Sequence, residues 1–305
     1  MDDASLPAPL PEDFLATPAP NITVDRVDFP KTTLPEYKNS YAVILDNVLS
    51  HEECNTLLRA AEATAPDKGW ERAMVNVGMG EQKLILDARN CGRIIWDSRD
   101  MVAKIWKRIE HLPDVQEIAR LENAAHIFGV GPAKRKEVWK FTRPNERMRF
   151  LKYVGGEYFR AHCDGVYETP DRKERSYFTM HLYLNDAGVV AEDELEGMSE
   201  KQRTEDVQTV LTGGATTFFA HDMRRRIDVQ PKTGRILLFQ HRGLLHSGED
   251  VVSGVKYTMR TDLMYTLFDE TASDPPPRPP PEKVTEGTDG VSEARAYGYL
   301  TSRHS

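Results

Sequence analysis

Three cysteines in 305 residues, Cys54, Cys91 and Cys163, are too few and too scattered for a disulfide framework or a thiolate zinc site. No apolar run approaches the ~20 residues of a membrane span. A basic excess is also missing: 40 Lys and Arg face 48 Asp and Glu, a formal net charge of −8. That balance argues against a nucleic-acid backbone or an anionic membrane as the main partner, since both reward clustered cations. The first 30 residues hold six prolines and begin Met-Asp-Asp, unlike a secretory leader, and the chain closes Arg303-His-Ser305 without an ER-retention ending. A soluble, reduced, cytoplasmic protein is the expectation, with the nucleus left open.

Hydrophobic residues make up 39% and aromatics 9%, enough for a sizeable core. The expected organisation is a Pro-rich, disordered extension over 1–35, one domain over 36–268 and a Pro-rich tail over 269–305. Ala42-Val-Ile-Leu45 reads as a strand. A capped helix follows, with Ser50 three before Glu53 and an apolar face of Leu57, Leu58 and Ala61. A second helix is predicted from Asp97 before Met101, Val102, Ile105, Trp106 and Ile109. Trp70 to Cys91 has no clear period.

After Met148 the pattern changes to short strands divided by turn residues: 148–154, 158–162, 176–184, 215–219, 235–239 and 256–265. Many short strands at near-regular spacing predict a sandwich or barrel, here a jelly roll, rather than a parallel βαβ sheet. With the N-terminal helices packed on it, the fold class is α+β. An acidic insertion over 186–212 interrupts the rhythm; its segment 186–207 carries eight acids and two bases. A loop of that length is a lid, a binding loop or a disordered insertion, and disorder is the first expectation.

Chemistry concentrates at His162, Asp164 and His246. Positions i and i+2 of a strand share a face, so His162 and Asp164 can converge, and a histidine from a distant strand can complete two imidazoles and one carboxylate. That facial set suits Fe(II) and leaves three coordination positions open. His-x-Asp alone is a weak signal, because Asp164-Gly165 is also a good turn pair.

The surroundings are more specific. The stretch 149–164 (RFLKYVGGEYFRAHCD), then Tyr183-Leu-Asn-Asp186, Gly213-Gly-Ala-Thr-Thr-Phe218 and 245–256 (LHSGEDVVSGVK), resemble in order the prolyl 4-hydroxylase-like Fe(II)/2-oxoglutarate dioxygenases. The similarity covers about 147–265. It implies a double-stranded β-helix, with His162, Asp164 and His246 as iron ligands. It further implies Lys256 as the cation facing the far carboxylate of 2-oxoglutarate, with Tyr153 and Tyr183 as cosubstrate contacts. Thr179 shares the face of Tyr183 in a regular strand. Arg260, four residues after Lys256 on the same strand face, is the rival cation for that cosubstrate carboxylate; otherwise it meets a substrate carboxylate or pairs with Asp262 or the acidic loop.

O2 is the second cosubstrate, and ascorbate is admitted as an auxiliary reductant. The implied reaction hydroxylates an unactivated C–H bond in a prolyl or other amino-acid residue or a small molecule, with release of succinate and CO2. Relatives that halogenate lack the Asp164 carboxylate, so its presence points to hydroxylation over halogenation and leaves desaturation and ring formation open. Cys91-Gly92-Arg93 and Arg147 also resemble pieces of the relatives that line the substrate mouth. His241 is a weaker alternative for the distal ligand, His181 is a core or substrate-facing histidine, and Cys163 packs on the opposite side. Two competing classes remain: a non-catalytic jelly-roll metal-binding or interaction protein, and a zinc hydrolase on the same ligands.

Overall fold

In the computed structural model of the chain, the structure describes residues 10–78, 81–188 and 210–268. Residues 189–209 of the acidic insertion and the tail from 269 lie outside the described residues, as do residues 1–9. In chain order the first strands are β1 (Thr23–Arg26), β2 (Ala42–Asp46), β3 (Glu71–Arg72), β4 (Val75–Gly78), β5 (Glu81–Lys83), β6 (Arg89–Asn90) and β7 (Gly92–Asp97). Next come β8 (Arg120–Glu122), β9 (Val138–Pro144), β10 (Arg147–Val154), β11 (Tyr158–His162), β12 (Glu174–Tyr183) and β13 (Thr212–Gly213). The last are β14 (Thr216–Phe219), β15 (Arg226–Val229), β16 (Ile236–Gln240), β17 (His246–Gly248), β18 (Val251–Ser253) and β19 (Val255–Phe268). Helix α1 (His51–Ala63) follows β2, and α2 (Arg99–Lys107) follows β7.

The larger sheet runs β1-β2-β16-β12-β19-β10-β7-β3, and the smaller runs β15-β14-β17-β11-β6. All pairings are antiparallel. Strand β19 has 14 residues, long enough to pair β10 with its first half and β9 with its second. The two sheets form the jelly roll expected from the strand pattern. No helix among the described residues is long and apolar enough to cross a membrane.

Period-two alternation gives the larger sheet two unlike faces. Phe150, Met180, Leu182, Leu238 and Met259 face the helices and share a core with Leu57 and Ile105. The intervening residues of the same strands face the smaller sheet. Helix α1 starts as its spacing predicts: the Ser50 hydroxyl accepts from the Glu53 N–H at 3.2 Å, and the Glu53 carboxylate accepts from the Ser50 N–H at 2.8 Å. Helix α2 differs by one residue. Its cap is Ser98, because Asp97 sits opposite Arg147 in the β7–β10 register and binds that guanidinium with both oxygens at 3.0 Å.

The boundary expected at residue 35 falls inside the fold. Strand β1 pairs with β2, and Phe29 and Leu34 are buried, with Phe29 edge-on to Phe218 at 6.0 Å. Prolines dominate that segment's composition, but a few apolar side chains suffice to dock it. Trp70 to Cys91 forms β3 to β6, strands of two to four residues, too short to show a period.

Candidate metal centre

The β-ladder itself brings the two histidines together. His162 ends β11, His246 begins β17, and the two are direct partners across that antiparallel pair. Their rings lie 4.4 Å apart between centroids. Asp164, two residues past His162, turns its carboxylate between them, with Oδ1 3.5 Å from His162 Nε2 and Oδ2 3.7 Å from His246 Nε2. One ligand atom from each residue falls within 4.8 Å of the others.

Backbone carbonyls fix both tautomers. His162 Nδ1 faces the Arg160 carbonyl at 2.8 Å and His246 Nδ1 faces the Leu244 carbonyl at 3.0 Å. A carbonyl only accepts, so each Nδ1 carries its proton and each Nε2 turns a lone pair toward Asp164. Burial and the adjacent His162 push His246 down to about 3, which keeps its imidazole neutral. Burial alone would raise the Asp164 carboxyl, but the Arg260 guanidinium beside it outweighs burial and holds it well below the usual carboxylate range. Two imidazole Nε2 atoms and an ionised carboxylate converging on one point fit a facial metal site.

A cleft opens from this point, lined by Leu151, Tyr153, His162, Asp164, His246 and Lys256 among others. Lys256 is only 2% exposed and makes no ion pair or hydrogen bond among the described residues; its ammonium lies over the rings of Tyr153 at 5.2 Å and Tyr183 at 5.7 Å. Burial pushes it down to about 8. Gly214 makes room for it: at φ +69° this residue brings the backbone so near that a Cβ would sit 3.1 Å from Lys256 Cδ. A buried cation without a counter-charge costs several kcal/mol, so this end of the cleft is built for an anion.

Residues 148–261 match the family model of the 2OG-Fe(II) oxygenase superfamily. This domain belongs to that superfamily. Its metal is therefore Fe(II) and its cosubstrate 2-oxoglutarate. No curated protein sequence matches the chain. Among solved structures, the chain is similar to a viral collagen prolyl hydroxylase of Paramecium bursaria Chlorella virus-1 in its 2OG complex, at 19% identity and a TM-score of 0.42 over 74% of this chain and 96% of that one. A Pseudomonas putida prolyl-4-hydroxylase aligns at 12% identity and a TM-score of 0.44, over 77% and 97% of the two chains. A Trichoplax adhaerens prolyl hydroxylase in complex with a hypoxia inducible factor peptide aligns at 14% and 0.42, over 76% and 87%.

The other residues singled out in the oxygenase domain have separate places. Tyr153 is in the cleft wall, while the Tyr183 hydroxyl, fully buried, donates to Thr216 at 2.7 Å. Thr179 lies behind the cleft, where its hydroxyl donates to Asp164 Oδ2 at 2.6 Å. Arg260 Nη2 stands 2.9 Å from Asp164 Oδ1 and 3.4 Å from Asp262 Oδ1. Thr179 and Arg260 thus grip the carboxylate that faces the histidines, and such contacts orient a ligand. His241 is outside the three-residue cluster, its Nε2 3.7 Å from Asp262. His181 lines the cleft with its Nε2 unpartnered. Cys163 is partly buried.

Sequence reasoning missed Arg89. This side chain is 7% exposed and lines the cleft, with its guanidinium 4.5 Å above the Phe159 ring. It comes from the two-residue strand β6, where nothing in the spacing marks it. Only its pairing opposite Phe159 of β11 brings it to the site.

Proposed function

We propose that the protein hydroxylates an unactivated C–H bond with consumption of 2-oxoglutarate and O2 and formation of succinate and CO2. His162, Asp164 and His246 are the residues that would hold Fe(II), and Lys256 would receive the far carboxylate of 2-oxoglutarate, with Tyr153 beside it. The bound metal and keto acid supply oxidative decarboxylation coupled to C–H oxidation.

The protein's own part is positional. The Arg160 and Leu244 carbonyls hold the imidazole tautomers, and Thr179 and Arg260 keep Asp164 ionised and turned inward. Leu151, Phe159 and Phe239 give the cleft apolar walls that exclude water. The substrate, a peptide or a small molecule, enters the same cleft.

One observation carries this reading: a three-ligand cluster and a buried lysine without a carboxylate share one cleft. The zinc-hydrolase and non-catalytic readings leave Lys256 unexplained. Anaerobic mixing of the full chain with Fe(II) and 2-oxoglutarate tests it. A visible charge-transfer band appears if both bind together, and its absence at millimolar concentrations of each sinks the proposal.

A further inference from the structure

We propose, resting on the reading above, that Arg89 and Arg93 form an anion-binding subsite and that the substrate carries a carboxylate or a phosphate to it. Among the described residues, the barrel interior near the cleft holds five cationic side chains, Arg89, Arg93, Arg149, Lys256 and Arg260, against two carboxylates, Asp164 and Asp262. Asp262 is shared by Arg149 at 3.2 Å and Arg260 at 3.4 Å, and Asp164 takes Arg260 at 2.9 Å. With a ferrous dication and a 2-oxoglutarate dianion added, positive charges would still outnumber negative ones in this region. Matching Lys256 to the far carboxylate, Arg260 to Asp164 and Arg149 to Asp262 leaves Arg89 and Arg93 without a counter-charge.

Both are deeply buried for arginines, at 7% and 8% exposure, and neither makes an ion pair among the described residues. Neither Nε has an acceptor. The polar groups acting on Arg89 are the Cys91 thiol, a weak acceptor, then Tyr153 and, least of the three, Asp164, which already takes Arg260. Glu71 lies opposite Arg93 across β3–β7 but is exposed and forms no ion pair with it. A guanidinium presents donors in a fork that fits carboxylate and phosphate oxygens, and burying one without an acceptor is costly.

Geometry joins the pair to the metal centre. Arg89 lines the same cleft as the triad, stacked on Phe159, which stacks on His162 at 3.7 Å between centroids. Arg93 is the direct partner of Leu151 in the β7–β10 ladder, and paired residues of antiparallel strands project to one face. Leu151 lines the cleft, and Arg93 stands on the same face of the sheet, one strand beyond it. An anion held there stands two ring stackings from His162, which places the oxidised carbon a few bonds from the charged group.

The test uses full-length protein loaded with Mn(II) and saturating 2-oxoglutarate, so that Lys256 is occupied. Acetate and inorganic phosphate are titrated in turn, and binding is read from intrinsic tryptophan fluorescence and from the unfolding midpoint. Saturable binding of one anion, weakened at least about tenfold in both Arg89→Gln and Arg93→Gln, is expected, and the anion preferred separates a carboxylate substrate from a phosphorylated one. No saturable binding to the wild type, or equal binding to both variants, overturns the subsite.

Arg93→Met covers the case of a merely structural arginine. Removing an uncompensated buried charge should raise the midpoint of the anion-free protein by at least about 2 °C. A fall instead means that Arg93 holds the fold, and the proposal fails. Half-saturation by 2-oxoglutarate must also move less than half-saturation by acetate or phosphate in the Gln variants. The reverse would make the cosubstrate itself the anion concerned. The charge-transfer band keeps the two readings apart: band present without anion binding overturns only the subsite, and band absent overturns the oxygenase assignment beneath it.

Discussion

The two faces of the larger sheet are made by alternate residues of the same strands, and they could hardly differ more. Along β10, Met148 and Phe150 face the helices while Arg149, Leu151 and Tyr153 face the smaller sheet; along β19, Met259 faces out and Lys256, Thr258, Arg260 and Asp262 face in. One face is apolar and close-packed. The other holds ionised groups at short range, an arrangement that burial makes costly. Stability and chemistry are thereby assigned to opposite sides of one backbone, and single substitutions on either side should separate them.

The largest effect is expected on the inner face. His162→Ala should abolish 2-oxoglutarate turnover yet change unfolding free energy by no more than about 2 kcal/mol, because that side chain stands at the cleft wall, only partly buried, outside the main apolar core. Asp164→Ala is a less clean probe, since it also deprives Arg260 of its nearest carboxylate. On the outer face, Phe150→Ala should cost about 3–5 kcal/mol in denaturant unfolding while turnover persists below the new midpoint. Turnover lost in proportion to the unfolded fraction alone keeps the comparison; inactivation of the folded variant breaks it.

Two further substitutions grade the inner face. Lys256→Met removes one partner of a buried pair, a loss of about 3–5 kcal/mol, so 2-oxoglutarate affinity should fall by about 100-fold or more with far less change in iron affinity. Equal losses in direct metal and cosubstrate titrations would make the lysine structural. Thr179→Val deletes the hydroxyl that holds Asp164, and metal affinity should drop about tenfold in a competition with a chelator.

Much of this division is legible in the sequence, for reasons that the register makes plain. Strands of five residues or more announce their faces by alternation, so Arg147–Val154 and Val255–Phe268 could be placed and their inward residues named. The triad is partly legible, since i and i+2 fix His162 against Asp164. The approach of His246 depends on a pairing that no local pattern encodes. Thr179 shows where the alternation misleads: it faces inward as expected, but depth in the barrel puts it behind the carboxylate and away from the cleft. Arg89 is invisible for the opposite reason, its strand being two residues long and its place set by a partner seventy residues later.

The smallest expected effect is a proton count. Burial lowers Lys256 to about 8 in the free protein, against an ordinary value of 10.5. Below pH 8 the charged ammonium is held in an unfavourable setting, so this lysine opposes folding there; between pH 8 and 10.5 the unfolded chain binds the extra proton and stability from this group rises with pH. Pairing with a carboxylate reverses the preference and restores the charge. Binding of 2-oxoglutarate at pH 9 should therefore take up close to one proton, and at pH 7 close to none, with affinity falling about tenfold per pH unit above 8. Calorimetric titration in two buffers of different ionisation enthalpy reads the uptake directly. Zero uptake at pH 9 would mean that the inner face does not deliver an uncompensated lysine to the cosubstrate, and the contrast between the faces would then stop at the metal.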